Sequence, residues 1–177
     1  MKKLLKKEIK QLIEKLKLNC SIKEFDNKVD WLGISCNQKL SEEFIKEFEN
    51  KVKINKKNNW LYWTKEQKLF YIKENNISYE LVDDKYIIAY KSTREGGYSI
   101  YNYQYKYEVG KEFESHCNCN FDEENSFGLS AWTKEKALEY HSKGELYKVK
   151  IAIEDIGCFV HNNNKIRCHK IKVIEKI

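Results

Sequence analysis

The first half of the chain carries one nine-residue segment twice, as "SIKEFDNKV" at Ser21–Val29 and "FIKEFENKV" at Phe44–Val52. Eight of the nine positions are identical or differ only as aspartate against glutamate. The following segments also match, since "WLGISCNQKL" at Trp31–Leu40 corresponds to "WLYWTKEQKL" at Trp60–Leu69. Repeated helical units usually stack, because one helix pair cannot bury its own apolar face. The repeat therefore predicts two short helical units, each the packing partner of the other.

Local signals in this half also indicate helices. Ser41 is a favourable N-cap, and Glu42 and Glu43 would complement the helix dipole in the first turn. A leading segment has the apolar stripe of an amphipathic helix. The stripe residues are Leu5, Ile9, Leu12, Ile13 and Leu16.

Charge and glycine are unevenly distributed along the 177 residues. Residues 1–80 hold 18 Lys, no Arg and 12 acidic residues, which accounts for the whole formal charge of +6. Six of the seven glycines follow residue 80. This shift predicts a helical repeat module at 1–78 and a second domain at 79–177. No apolar run approaches the roughly 18 residues of a membrane span, and six cysteines without a secretory signal favour the cytoplasm.

Alternating apolar residues in the second domain predict strands. The segments "YIIAY" from Tyr86, "SFGLSAW", "GELYKVKIAI" and the closing "KIRCHKIKVIEKI" read as strands, and Tyr101, Tyr103, Tyr105 and Tyr107 share one parity in a further strand or hairpin. "TKEKALEYHSK" predicts a helix capped by Thr133 and ended by Gly144. The expected fold is α+β: a helical repeat stub, then a mixed domain of about five strands and one main helix.

The repeat resembles the short helical repeats of proteins from bacteriophages, large DNA viruses and low-GC mobile elements. Those proteins imply a protein-binding role. In the second domain, the ordered segments "YKST", "Y-x-V-G", "GLSAWT", "EKALEY", "LYKVKI" and "KIRCHKIKVI" resemble an ADP-ribosyltransferase-like core. They also look like an uncharacterised domain that accompanies such phage repeats.

The transferase resemblance implies a cleft that binds NAD. It puts Lys91 and Arg94 near the position of the NAD-holding residue on the first strand, and Ser130 against the nicotinamide ribose. These are the candidate catalytic residues. The final motif of that family supplies a glutamate, but "NNNKIRCHK" holds no carboxylate, and the nearest acids, Glu154 and Asp155, precede a different turn. The resemblance therefore implies the fold more strongly than the reaction.

Cysteine and histidine recur in three patches of the second domain. His116, Cys117 and Cys119 form the first patch, Cys158 and His161 the second, and Cys168 and His169 the third. These soft ligand types are those of structural zinc. Cys-x-Cys is an unusual spacing, however, and on a strand His116 would face away from the two thiols. We therefore expect no bound metal, with buried thiols as the main interpretation and a redox role or a Cys–His nucleophile as alternatives.

Two functions follow from the sequence. The first is an interaction protein of a phage or mobile element that binds and inhibits a host protein or ribonucleoprotein, with anti-CRISPR activity as its most specific form and no cofactor. Its Lys-rich first half would allow direct contact with nucleic acid. The second is a mono-ADP-ribosyltransferase that uses NAD. The expected binding residues are Lys91, Arg94, Ser130, Trp132, Trp31, Trp60 and Trp63.

Overall fold

The computed structural model describes residues 3–31, 34–35, 38–52, 59–141 and 143–177. They belong to two units, Met1–Asn55 and Lys56–Ile177. The first unit contains the helices α1 (Lys3–Lys15), α2 (Phe25–Lys28) and α3 (Glu42–Glu47).

The local helix predictions for the first unit are confirmed. Leu5, Ile9 and Leu12 are buried along one side of α1. The Ser41 hydroxyl accepts a hydrogen bond from the Phe44 amide at 3.1 Å, so Ser41 caps α3. The helix ends at Glu47.

The repeated phenylalanines form the centre of the first unit. Phe25 and its repeat equivalent Phe48 contact each other with ring centroids 6.4 Å apart. Phe44 is fully buried, and its ring lies 6.2 Å from that of Phe25 and 4.8 Å from that of Phe48. The two copies of the nine-residue segment therefore do pack against each other, as the repeat predicts.

The second part of the later repeat copy belongs to the second unit. Trp60–Tyr62 forms a 3₁₀ turn and Lys65–Glu74 forms helix α4. Trp60 and Ile72 are buried in the core of this unit, where the Trp60 ring lies 5.3 Å from the Phe159 ring. The predicted boundary at residue 78 therefore lies too far towards the C-terminus, because Trp60 and Ile72 belong to the core of the second unit. The residues between the copies, 53–58, lie outside the described part.

The second unit is an antiparallel sheet of eight strands with helices α4 and α5 (Lys134–Tyr140). The strands are β1 (Glu80–Val82), β2 (Tyr86–Ser92), β3 (Glu112–Glu114), β4 (Leu129–Trp132), β5 (Leu146–Ala152), β6 (Ile156–Val160), β7 (Lys165–Cys168) and β8 (Lys170–Lys176). Their order is β3-β8-β5-β2-β4-β7-β6, with β1 also paired to β2. The α+β class is therefore correct.

The two halves of the sheet are connected by a single short pairing between β2 and β4. Strand β2 pairs with β5 along all seven residues, from Tyr86 to Ser92. Its pairing with β4 consists of Tyr90 opposite Trp132. The sheet thus divides into one half around β5 and β2 and another formed by β4, β7 and β6.

Three details differ from the prediction of about five strands. Strand β6, "IGCFV", is buried at every residue and has no polar alternation to reveal it. The closing segment is two strands, because the chain turns at His169 between β7 and β8. The tyrosines at 101–107 form no extended strand, but an antiparallel bridge between Tyr98 and Lys106 closes this segment as a short hairpin. Tyr101 and Tyr103 are exposed there while Tyr107 is buried. Thr133 caps α5 as predicted, but α5 ends at Tyr140, before Gly144.

Within the described residues, no helix combines the length and the apolar character that a membrane crossing requires.

The phenylalanine cluster predicts a strong effect of Phe44→Ala. Removing this buried ring should lower the free energy of unfolding of the first unit by about 3–5 kcal/mol. Leu4→Ala, on the exposed side of α1, should change it by no more than about 0.5 kcal/mol. Equilibrium denaturation followed by circular dichroism measures both. Equal losses in the two variants would contradict this account of the core.

Candidate functional site

A cleft of about 760 Å³ opens where the two halves of the sheet separate. Its walls come from β2, β4, the start of β7 and the segments 99–107 and 125–128. Because only one residue pair joins β2 to β4, the strands leave room between them at this end. The described lining includes two lysines, Lys91 and Lys165, one histidine, His161, and six aromatic side chains: Tyr101, Tyr105, Tyr107, Phe127, Trp132 and Tyr140.

Lys91 forms the centre of the cleft. Its ammonium donates a hydrogen bond to the Ser130 carbonyl oxygen at 2.8 Å, which spans the gap between β2 and β4. The same Nζ lies 5.2 Å from the centroid of the Tyr107 ring. Burial lowers the pKa of Lys91 to about 8, because the charged form loses hydration. An anionic group in the cleft would stabilise the charged form of this lysine.

An aromatic wall stands on the other side of the cleft. Trp132 stacks on Tyr140 with centroids 4.9 Å apart, and His161 lies 5.4 Å from Trp132. Lys165 places its ammonium 5.1 Å from the Trp132 ring. At the rim, the Tyr140 hydroxyl hydrogen-bonds the Tyr101 hydroxyl at 2.6 Å. Planar groups can stack on this wall beside a positive charge.

None of the described residues that line the cleft is acidic. One of the lining residues, His161, approaches a carboxylate: its Nδ1 lies 3.7 Å from Oε2 of Glu124. Glu124 is exposed. Asp155 lines a separate, smaller cavity beside Lys170 and Lys172. The sequence pointed to His161 only as a member of the second cysteine–histidine patch and gave no sign of Glu124, because their approach depends on the packing of two distant loops.

The structure brings together three of the residues that the sequence singled out for binding. Lys91, Ser130 and Trp132 all line the cleft. Arg94 lies on an exposed turn, where its guanidinium stacks over the Tyr103 ring at 4.4 Å. Arg94 is not among the cleft-lining residues.

The other three tryptophans have different surroundings. Trp31 is half-buried against Phe25 and Phe48 in the first unit. Trp60 is 1% exposed and belongs to the core of the second unit, so it offers no binding surface. Trp63 is half-buried, stacks on Trp60 at 4.6 Å and borders a shallow groove with the exposed Phe70.

The cysteine patches also come together, with a different histidine from the expected one. The ligand atoms of Cys117, Cys119 and His169 all lie within 4.8 Å of one another. His116 is exposed and does not belong to this group. Cys117 and Cys119 approach each other on a segment that is not a strand, so the alternation expected for a strand does not apply to them. The sequence placed His169 in the third patch beside Cys168, and it reaches Cys117 and Cys119 from the turn between β7 and β8.

The cluster favours a thiolate. A hydrogen bond from Cys117, assisted by His169 and Lys68, lowers the pKa of Cys119 to about 5. The hydrogen bond with Cys119 raises the pKa of His169. Cys119 Sγ and His169 Nε2 are 3.4 Å apart. Lys68 is buried nearby and donates to the carbonyl oxygens of Glu154 and Ile156 at 3.0 and 2.6 Å.

Comparison of the chain with models of protein families, with curated proteins and with solved structures found no match. Its function is therefore inferred from the chemistry of the described residues. The cleft and the cysteine–histidine cluster are the two places in the second unit that call for an explanation.

Gly157 sets the space available to the cluster. A Cβ at this position would lie 2.3 Å from Cys117 Sγ, far inside van der Waals contact. Gly157→Ala should therefore lower the free energy of unfolding by about 1–3 kcal/mol, the usual cost of overpacking. Thermal or denaturant unfolding of the purified variant measures this loss.

The matched test is the same substitution in a Cys117→Ala background. Without the sulfur the nearest contact of the new methyl group is the Arg167 carbonyl oxygen at 3.1 Å, so the double variant should recover most of the loss relative to Cys117→Ala alone. An equal loss in both backgrounds would show that contact with the sulfur is not what requires glycine.

Proposed function

We propose that the chain is a binding protein of a phage or mobile element that inhibits a host ribonucleoprotein, with a nucleotide unit of the target held in the cleft. An anti-defence role in the host cytoplasm, with inhibition of a CRISPR ribonucleoprotein as its most specific form, follows from the repeat resemblance. The observation that carries the proposal is the composition of the cleft: lysines and aromatic rings without an acidic residue among the described lining.

The chemistry of the cleft matches a nucleotide better than it matches a neutral or cationic ligand. Lys91 supplies a positive charge for a phosphate, while the exposed ring of Tyr101 offers a face for a base. Stacking of bases on aromatic side chains beside a cationic groove is the usual means of binding single-stranded nucleic acid without sequence preference. A volume of about 760 Å³ is in the range of pockets that hold small ligands.

The Lys-rich first half would add a second, weaker attraction. Residues 1–80 carry 18 lysines and 12 acidic residues. Such a surplus attracts phosphate through long-range electrostatics that depend on salt. It lacks arginine, the side chain that binds phosphate and guanine in bidentate fashion. Its contribution is therefore to the rate of association and not to specificity.

The alternative function, mono-ADP-ribosyl transfer from NAD, draws support from the divided sheet. A cleft between two half-sheets, with Lys91 and Ser130 on opposite sides, is where such a core would hold NAD. The reaction also needs a fixed negative group facing the positive charge that develops on the ribose. Since no acidic residue is found in the described lining, binding without transfer is the better proposal. Glu124 is the carboxylate through which this preference can be tested.

Binding of ADP, measured by calorimetry, tests the proposal with matched variants of one loop. The wild type should bind one ADP per chain. Tyr101→Ala removes a ring from the cleft and should weaken binding by about 1–3 kcal/mol. Tyr103→Ala, which removes an exposed ring that lies outside the cleft-lining residues, should leave the affinity unchanged. Absence of ADP binding, or equal effects of the two substitutions, would contradict the proposal.

Incubation of a host lysate with labelled NAD separates the two functions. Inhibition that requires one molecule of the protein per target and transfers no label supports binding. Label that appears on a host protein at substoichiometric doses, and is lost in Glu124→Gln, would establish the transferase instead.

The affinity for ADP should also depend on pH through Lys91. Its pKa is lowered to about 8 by burial, so the ammonium is charged below that value and neutral above it. Binding of an anion should therefore be strongest near pH 7 and fall as the pH rises through about 8, shifted upward to the extent that the anion stabilises the charge. Lys91→Met should bind more weakly and show no such fall. A wild-type affinity that stays constant between about pH 7 and 9.5 would contradict the role of Lys91.

A further inference from the structure

The cysteine–histidine cluster is separate from the cleft, since none of its three members lines that cavity. Cys117 and Cys119 come from the segment between β3 and β4, and His169 from the turn between β7 and β8. The two thiols are buried, and His169 is half-buried. Three soft donors from distant parts of the chain therefore converge at one point within the second unit.

We propose that Cys117, Cys119 and His169 bind a thiophilic transition-metal ion, with Cu⁺ preferred to Zn²⁺. Thiolate and imidazole are the ligand types that both ions select. The sequence alone argued against a metal because His116 faces away. His169 removes that objection, because it completes a set of three donors.

The distances between the donor atoms fit a common metal ion. The three atoms lie within 4.8 Å of one another, and the Cys119 Sγ to His169 Nε2 distance is 3.4 Å. Bonds of about 2.0–2.3 Å to a shared ion separate neighbouring donors by roughly 3.4–4.0 Å. Binding therefore requires small side-chain adjustments and no change of backbone path.

The backbone around the cluster is held before any ion binds. The His169 amide donates to the Asp155 carbonyl at 2.8 Å, and the Ser115 amide donates to the His169 carbonyl at 2.9 Å. Gly157 leaves the space into which Cys117 Sγ fits. Such fixation of the ligand-bearing segments is what a preformed site needs.

The charges around the cluster distinguish the two ions. Lys68 and Arg167 are both buried, Arg167 donates to Cys158 Sγ at 3.1 Å, and in the described chain neither forms an ion pair with a carboxylate. Two thiolates with Cu⁺ leave one net negative charge, which Lys68 can balance, whereas two thiolates with Zn²⁺ leave none. Three donors also complete a trigonal site for Cu⁺, while Zn²⁺ takes a fourth ligand.

The experiment loads the full, reduced chain anaerobically with Cu⁺ or Zn²⁺, removes free metal and measures the metal content. Wild type should retain one Cu⁺ per chain, and less Zn²⁺ when the two compete. Cys119→Ser and His169→Gln should each lose retention. Cys20→Ser, which changes a cysteine of the first unit outside the cluster, should retain the ion like wild type.

X-ray absorption at the metal edge of the loaded wild type provides a readout that does not depend on variants or their folding. Two sulfur ligands and one nitrogen at bonding distance are expected. Wild type that retains no ion, retention that is equal in Cys119→Ser, or a spectrum without sulfur ligands would overturn the proposal. A metal-free thiolate–imidazolium pair would then be the state of the cluster.

Discussion

The pairing of Tyr90 with Trp132 is the constraint on which the second unit depends. Strand β2 is bonded to β5 along its whole length, yet it meets β4 at this one position. A continuous ladder here would close the sheet and leave no cavity. Instead the Lys91 ammonium donates a hydrogen bond to the Ser130 carbonyl oxygen across the gap. This side-chain hydrogen bond replaces part of the missing backbone ladder. The cleft, its charge and its aromatic wall all follow from this division.

The same division explains why the two candidate sites differ in chemistry. The cleft is open to solvent and presents Lys91, Tyr101 and Trp132, which suit a ligand that arrives and leaves. The cysteine–histidine cluster lies among buried side chains, beside Gly157 on β6. Polar groups in such surroundings need partners, because an uncompensated buried charge is costly. We infer that the first site serves recognition and that the second serves an ion that remains bound.

Local rules predicted the parts whose signals are local. The α1 stripe, the Ser41 cap and the strands β2, β4 and β5 were predictable because apolar spacing and capping residues depend on neighbours in sequence. Lys91, Ser130 and Trp132 were predictable as a group only through a family resemblance. The tyrosines at one parity predicted a strand or hairpin, and the structure has only a short hairpin there, closed between Tyr98 and Lys106, in which Tyr101 and Tyr107 have opposite exposure.

The remaining features depend on contacts between distant segments. Strand β6 has no alternation, and burial on both faces hides it from pattern analysis. His169 and Glu124 acquire their partners through folding alone, and Trp60 could be assigned to the second unit only after its contact with Phe159 was seen. These contacts cannot be predicted from the residues that are adjacent in sequence.

The central claim is that a nucleotide is held in the cleft at the divided sheet. The most direct test is a nuclear magnetic resonance titration of the isotope-labelled full chain with ADP, read at the Trp132 indole and at the backbone amides. If ADP binds in the cleft, saturable chemical-shift changes should be concentrated at Lys91, Tyr101, Ser130 and Trp132. The signals of Trp31 and Trp63 should not change. Shifts that are absent, or that centre on the groove beside Trp63 and Phe70, would contradict it.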